Sequence, residues 1–242
     1  MKILLFCLLI MAANVIQGIT GFAGTILAMP FALQLVGIDI AVPVLNMLGM
    51  LSGIYVFAGN YTKIDLKEWK KILLIMGVSL IIGINLRGLL STQAVLLYRI
   101  FGITVILIAV TGLYSYLKGG NSVLDGVVPD ETYLLSAGLL HGLFVSGGPL
   151  LIAYLAKKTK DKTVFRSTIS ATWIILNGMI FISQLLNGSW NSGLWKMLLY
   201  TLPFFLAGMM AGSRLYRTMD QRLFMILTYI LLMIAGVSLV LK

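Results

Sequence analysis

The feature that most constrains this chain is a succession of apolar runs, each about as long as a helix that crosses a membrane. A spanning helix needs about 20 largely apolar residues. Six runs meet that requirement: Ile40–Gly59, Lys70–Leu90, Leu97–Leu117, Ser167–Leu186, Ser192–Ser213 and Arg222–Leu241. Apolar residues make up 60% of the 242 positions and charged residues only 11%, whereas soluble domains are about half apolar and a quarter charged. The sequence therefore predicts an all-α polytopic membrane protein.

Two further apolar segments are interrupted by helix-breaking residues. Ile3–Val36 is too long for one helix and carries three glycines and a proline, and Thr132–Ala156 carries two glycines and a Ser-Gly-Gly-Pro run. Membrane proteins tolerate such broken helices where the backbone is buried in protein or lines a cavity. Each broken segment precedes three ordinary spans. The chain therefore divides into a first membrane repeat, 1–117, a linker, 118–131, and a second membrane repeat, 132–242.

The basic residues predict how these segments are oriented. Lys and Arg accumulate in cytoplasmic loops, and here they cluster at 63–71, 157–166 and 214–222. If each broken segment is a hairpin that enters and leaves on one side, the linker and all three clusters face the cytoplasm. That model places thirteen of the 18 Lys and Arg inside (four, one, five and three). A single crossing would turn residues 157–166 outward. The hairpin model fits better and makes the second repeat inverted relative to the first, a recurring transporter design.

The first broken segment is one candidate for a substrate site. The candidate residues there are Gln17, Gly18, Thr20, Gly21 and Gly24. Glycines three apart let a second backbone approach closely, which is typical of helix packing. The same glycines make a helix easy to break and expose its backbone to a solute. Spacing alone leaves both interpretations open.

The second broken segment is a stronger candidate. Its candidate residues are His141, Gly142, Ser146, Gly147, Gly148 and Pro149. The Ser-Gly-Gly turn presents several backbone N–H groups, and Pro149 suits the start of the half-helix that follows. The positive end of that half-helix would favour an anion at membrane depth. The alternative is a turn that only connects two short helices. His141 is either a proton-coupling group or a neutral histidine bonded between helices.

Three polar residues in the ordinary spans complete the candidate set. Arg166 precedes a run of hydroxyl side chains at 167–172, so it could hold an anion at the cytoplasmic mouth or snorkel to the headgroups. Asn46 and Asn177 lie in the middle of equivalent spans of the two repeats. Each could contact substrate or bond a neighbouring helix, and their matched placement favours substrate contact.

The two broken segments also resemble a known family. The resemblance rests on Gln17–Phe22, Met29-Pro30 and Ala41–Pro43 in the first repeat, and on Gly147–Leu150, Tyr154-Leu155 and Val164–Thr168 in the second. In this order and spacing they resemble the sulfite exporter TauE/SafE family of membrane permeases, over nearly the whole chain. The resemblance implies a multi-pass transporter of the cell membrane that moves sulfite, sulfonates or related sulfur anions.

Other functional classes have little support in the sequence. The net charge of +10 comes from the loop clusters that fix topology, so nucleic-acid binding is not expected. Cys7 is the one cysteine, and no P-loop motif is present, so we predict neither a metal site nor a cofactor. Ser146 and His141 lack a nearby carboxylate to complete a catalytic triad, so we do not predict an enzyme.

The predicted function is therefore a membrane permease for a small anion. A passive anion channel and a non-transporting subunit of a membrane complex are the alternatives. The expected partners are the anionic solute, membrane lipid and a coupling ion such as the proton, and self-association is left open.

Overall fold

The computed structural model describes residues 1–90, 94–119, 129–145 and 147–241. Within them the chain forms helices and no strand, which confirms the all-α prediction. The helices are α1 (Lys2–Thr20), α2 (Ala23–Val36), α3 (Ile38–Asn60), α4 (Leu66–Leu90), α5 (Ala94–Lys118), α6 (Asp130–Phe144), α7 (Gly148–Lys158), α8 (Lys162–Leu186), α9 (Ser192–Thr218) and α10 (Gln221–Val240). Ser146 and most of the predicted linker, 120–128, lie outside the described residues.

Seven helices of the described residues are long and apolar enough to cross a membrane. Six of them coincide with the runs predicted as ordinary spans. The seventh is α1, whose 19 residues extend about 28 Å, close to the roughly 30 Å of a hydrocarbon core. The first broken segment is thus a full-length helix followed by a short one, α2, of 14 residues.

Each broken segment has one break, although the sequence contains several helix-breaking residues. The first break follows Gly21, whose φ of 84° is left-handed and ends α1. Gly18 lies inside α1, while Gly24 and Pro30 lie inside α2. The second break begins at Val145, which adopts a left-handed φ of 54° without being glycine. A glycine interrupts a helix only where its backbone leaves the helical region, so composition alone does not locate the break.

The chain folds as two compact units, and each unit contains helices from both halves of the sequence. The first comprises Met1–Trp69 and Arg166–Met219, and therefore α1, α2, α3, most of α8 and α9. The second comprises Lys70–Phe165 and Asp220–Lys242, and therefore most of α4, α5, α6, α7 and α10. Compactness and duplication are different properties, so the division into sequence repeats stays a prediction.

Glycines bring helix backbones together in both units. In the first unit, a Cβ added at Gly18 of α1 would lie 2.8 Å from the carbonyl oxygen of Met209 on α9. In the second unit, a Cβ at Gly142 of α6 would overlap the carbonyl of Leu80 on α4. There too, α5 and α10 meet at Gly102, where a Cβ would lie 2.7 Å from the carbonyl oxygen of Gly236. Small residues of this kind permit the close packing on which helix association in membranes depends.

Ion pairs join the two ends of the α6–α7 segment to each other and to α4. Asp130 at the start of α6 pairs with Lys158 at the end of α7, and Glu131 pairs with Lys71 of α4 at 2.8 Å. The hydrogen bond from Lys71 lowers the pKa of Glu131 below its ordinary value. Both lysines also lie over the ring of Tyr154, 5.8 Å from its centroid. With arms of about 22 and 16 Å, this segment is a short hairpin.

An aromatic cluster marks the end of α8 that is remote from the basic residues. The rings of Trp190 and Trp195 lie 4.6 Å apart between centroids at a tilt of 47°, and Phe181 packs edge-on against both. The indole N–H of Trp190 donates to Gln184 Oε1 at 3.1 Å. Tryptophans concentrate at membrane–water interfaces. Basic residues at one end of α8 and this cluster at the other are consistent with a helix that spans a bilayer.

Candidate functional site

Thr20 stabilises the break between α1 and α2. Its hydroxyl donates to the carbonyl of Ile16 at 2.9 Å and accepts from the backbone N–H groups of Phe22 and Ala23, each at 3.3 Å. These N–H groups begin α2 and would otherwise lack a helical partner. The start of α2 is therefore capped by the protein itself. The structure gives Thr20 a capping role here.

Gln17 closes the same break from the other side. Its Oε1 accepts from the backbone N–H of Gly24 at 2.7 Å, and its Nε2 donates to Ser52 Oγ on α3 at 2.7 Å. Gly24 packs so closely against α1 that an added Cβ would lie 2.7 Å from the Cβ of Gln17. One buried amide thus joins α1, α2 and α3. The first three N–H groups beyond the turn are all bonded within the protein, which leaves them unavailable to a solute in this arrangement.

Arg166 lies beside this break and is buried, with 4% of its surface exposed. Its Nη2 donates to the carbonyl of Gly18 at 2.5 Å and to Ser213 Oγ at 3.0 Å. Its guanidinium carbon lies 4.3 Å from the ring centroid of Tyr216. Arg166 therefore joins α8 to α1 and α9.

The charge of Arg166 has no acidic counterpart within the described part of the chain. Its contacts there are a carbonyl, a hydroxyl and an aromatic ring, and its Nε finds no hydrogen-bond partner among those residues. A buried cation is costly unless it is paired and fully hydrogen-bonded. A guanidinium offers five N–H donors in a geometry that suits oxyanions. This residue is the strongest candidate for an anion ligand in the first unit.

Two serines next to Arg166 also have hydroxyls that the described residues leave without a partner. Ser167 and Ser170 are buried, and neither Oγ forms a hydrogen bond with that part of the chain. Their neighbours on α8 behave differently, since Thr172 donates to the carbonyl of Thr168 at 2.8 Å, and Thr168 Oγ1 accepts from the N–H of Asp65 at 3.0 Å. Hydroxyls in helices commonly bond back to the preceding turn. The two serines are therefore polar groups that this fold does not use internally.

The turn at Gly21 packs directly against this group. A Cβ at Gly21 would lie 2.8 Å from Ser170 Oγ and 3.3 Å from Arg166 Cγ. The structure thus brings the break and the basic end of α8 together, although they are about 145 residues apart in sequence. Of the predicted residues, Gln17, Thr20, Gly21, Gly24 and Arg166 assemble at this break. The carbonyl of Gly18 accepts the hydrogen bond from Arg166. Because Gly18 has no side chain, α9 can pack closely against it.

Asn46 and Asn177 meet where α3 packs against α8. Asn46 Nδ2 donates to the backbone carbonyl of Asn177 at 3.1 Å, and a Cβ at Gly49 would lie 2.8 Å from the amide nitrogen of Asn177. The two asparagines are therefore in contact, and the amide of Asn46 bonds the neighbouring helix. Their predicted contact with substrate stays a prediction. Asn46 Oδ1 is buried and accepts no hydrogen bond from the described residues.

The second unit holds the other predicted residues around the α6–α7 break. His141 is buried, and its backbone carbonyl accepts from the N–H of Val145 at 2.9 Å. A Cβ at Gly147 would overlap the carbonyl of Ala137 and would lie 2.8 Å from the Cβ of His141. Gly147 is therefore required for the turn to close onto α6.

The next two residues begin α7. Gly148 and Pro149 occupy its first turn, as predicted from the favourable position of proline at a helix start. Gly142 faces α4 and serves close packing, while Ser146 lies outside the described residues.

Sequence reasoning missed several residues that complete the first-unit site. Ser52, Ser213 and Tyr216 contact Gln17 or Arg166 from other helices. Ser170 belongs to the hydroxyl run at 167–172 without standing out from it, and its position one helical turn after Arg166 is the signal that could have found it. No group of three His, Cys, Asp or Glu that could hold a metal ion occurs in the described residues.

Comparison with protein families gives one match. A family model described as sulfite exporter TauE/SafE matches residues 6–239. The chain belongs to the sulfite exporter TauE/SafE family. The resemblance drawn from the two broken segments is therefore confirmed. No curated protein and no solved structure matches the chain.

Membership of the TauE/SafE family gives the chain its general class. Together with the apolar helices of the described residues, it identifies a multi-pass membrane protein of a transporter family. TauE/SafE proteins are transporters and not enzymes. The family description names sulfite export, and the solute of this particular chain is a separate question.

Proposed function

We propose that this chain is a permease that moves a small sulfur-containing anion, such as sulfite or a sulfonate, across the cell membrane. The observation that carries the proposal is Arg166, a buried cation in a membrane protein. Among the described residues its Nε–H has no hydrogen-bond partner and its charge has no acidic partner. A buried cation whose N–H donors are not all bonded within the protein is a candidate contact for an anionic solute. Family membership supplies the solute class.

Arg166 also has a structural use, which does not account for all of its donors. The carbonyl of Gly18 is one of the last in α1 and lacks a helical partner, so Arg166 caps that helix end. A cation at a helix C-terminus is favourable. Capping occupies Nη2 only. The Nε–H, which has no partner among the described residues, and the two neighbouring serine hydroxyls form a set of donors suited to an anion.

The packing of the helices supports a duplication, and the loop charges support its inversion. The first helix of each half packs on the fourth helix of the other half: α1 on α9 through Gly18, and α6 on α4 through Gly142. Counterparts also pack on each other, α3 on α8 through Asn46 and α5 on α10 through Gly102. A pseudo-twofold relation between two repeats generates this set of pairs.

We further propose that α6–α7 is re-entrant, with both ends on the cytoplasmic side. Its arms are shorter than a bilayer core is thick, and its ends are joined by the Asp130–Lys158 pair. The basic residues that flank it favour the cytoplasm.

Cysteine labelling tests this topology in a variant whose native thiol has been removed by Cys7→Ala. Lys63→Cys and Lys160→Cys should resist a membrane-impermeant maleimide added to intact cells, whereas Asn187→Cys should react. All three positions are exposed, so accessibility in permeabilised cells serves as the control. Labelling of Lys160→Cys from outside would show that the segment crosses the membrane once.

The function is tested by flux into proteoliposomes that contain only this chain. Sulfite, thiosulfate, sulfoacetate, taurine and sulfate would be compared, with and without an imposed proton gradient. We expect saturable entry of at least one sulfur anion, and no entry into empty vesicles. A gradient effect that His141→Ala removes would assign proton coupling to that histidine. Absence of flux for every solute, in vesicles shown to hold folded protein, would contradict the proposal.

A further inference from the structure

We propose that Ser170 is a specificity-determining residue: its hydroxyl is a second donor to the anion held by Arg166, so that the pair selects a compact oxyanion over a halide. This inference rests on the proposed function and assigns part of the selectivity to one side chain.

The first support is the state of the Ser170 hydroxyl. Ser170 is fully buried, and its Oγ has no hydrogen-bond partner in the part of the chain that the structure describes. Buried threonines in the same unit behave otherwise, since Thr20, Thr172 and Thr201 donate to carbonyls of their own helices. Leaving a buried hydroxyl unbonded is unfavourable. A ligand that accepts this hydrogen bond removes the penalty.

The second support is the position of Ser170 relative to Arg166. The two residues are four apart on α8 and therefore lie on one face of the helix. Both contact Gly21, where an added Cβ would lie 2.8 Å from Ser170 Oγ and 3.3 Å from Arg166 Cγ. The unpartnered Nε of Arg166 and the unpartnered hydroxyl of Ser170 thus belong to one small region of the first unit, as far as its described residues show.

Two donors separated by one helical turn discriminate between classes of anion. A sulfur oxyanion presents several acceptor oxygens on one centre, so each donor can bond its own oxygen. A halide is a single sphere, and both donors would have to converge on one point. A site with hydrogen-bonding groups rejects a ligand that leaves one of those groups unpaired. The pair therefore favours sulfite or a related oxyanion over chloride.

The test compares sulfite and chloride entry into proteoliposomes for the wild-type chain, Ser170→Ala and Thr172→Ala. Thr172 is the matched control because it is a buried hydroxyl on α8 that is satisfied within the helix. We expect Ser170→Ala to lower sulfite entry roughly 10-fold and to leave chloride entry unchanged. Thr172→Ala should keep the wild-type ratio of the two rates. Ser170→Cys, which has similar size and a weaker donor, should give an intermediate ratio.

The outcomes separate this inference from the function on which it rests. Sulfite entry in the wild type with an unchanged ratio in Ser170→Ala would overturn the role of the serine alone. Equal loss in Ser170→Ala and Thr172→Ala would also overturn it, because the effect would then be structural. Absence of sulfite entry in the wild type would contradict both the proposed function and this inference.

Discussion

Replacing Arg166 by glutamine is expected to lower sulfite transport by about 10-fold or more. The substitution keeps a polar side chain that can still bond a carbonyl, and it removes the buried positive charge and the Nε–H donor. A hydrogen bond that involves a charged group contributes about 1.5–3 kcal/mol, and each 1.4 kcal/mol is about 10-fold in affinity. Initial rates over a range of sulfite concentrations would separate a loss of affinity from a loss of turnover.

Two further variants make this result interpretable. Arg166→Lys keeps the charge and loses the guanidinium geometry, so we expect partial activity between glutamine and wild type. Arg214→Gln removes an exposed arginine of α9 and controls for the general effect of one positive charge. Wild-type transport by Arg166→Gln would show that Arg166 serves only to cap α1 and to bridge α8 to α9.

Replacing Gly147 by valine is expected to abolish transport through loss of the α6–α7 hairpin. An added Cβ would overlap the carbonyl of Ala137 and crowd His141, and backbone atoms cannot move aside as a flexible side chain can. Overpacking typically costs about 1–3 kcal/mol and occasionally more. Membrane insertion should persist because the substitution makes the segment more apolar. Fluorescence-detected size exclusion and thermal unfolding in detergent would measure the loss of folded protein.

Gly77→Val is the matched control for that prediction. Gly77 lies inside α4 of the same unit. Apart from its chain neighbours and the adjacent backbone of α4, no described atom lies within 4 Å of the position its Cβ would take. We expect wild-type folding and flux for this variant. A similar loss of folded protein and flux in both valine variants would mean that replacing glycine at any helix position is harmful. That result would contradict a specific role for Gly147.

Much of the architecture follows from the sequence because it depends on local properties. Runs of about 20 apolar residues set the ordinary spans, and basic clusters set the predicted orientation. The glycine-rich stretches located both broken segments. Their breaks could not be placed in the same way, because Gly21 and Gly24 are equally permissive and the second break uses a left-handed valine, Val145.

Which side chains meet in the candidate site was harder to predict, because these contacts join residues far apart in the sequence. Gln17 is predicted to bind substrate, and that stays a prediction; its bonds to Gly24 and Ser52 could not be read from the sequence. Arg166 is predicted either to hold an anion at the cytoplasmic mouth or to snorkel to the headgroups, and the sequence does not decide between the two. Only the fold shows that it is buried against α1 and α9, next to the Ser170 hydroxyl that the described residues leave unbonded.

The most direct test of the central claim is a counterflow measurement in proteoliposomes that contain this chain alone. Vesicles loaded with unlabelled sulfite would be diluted into labelled sulfite, and internal label would be followed with time. A permease with one alternately exposed site should accumulate label transiently above its equilibrium level, and Arg166→Gln should lose that overshoot. Label that only approaches equilibrium, at a rate independent of internal sulfite, would contradict the account and would indicate a passive channel.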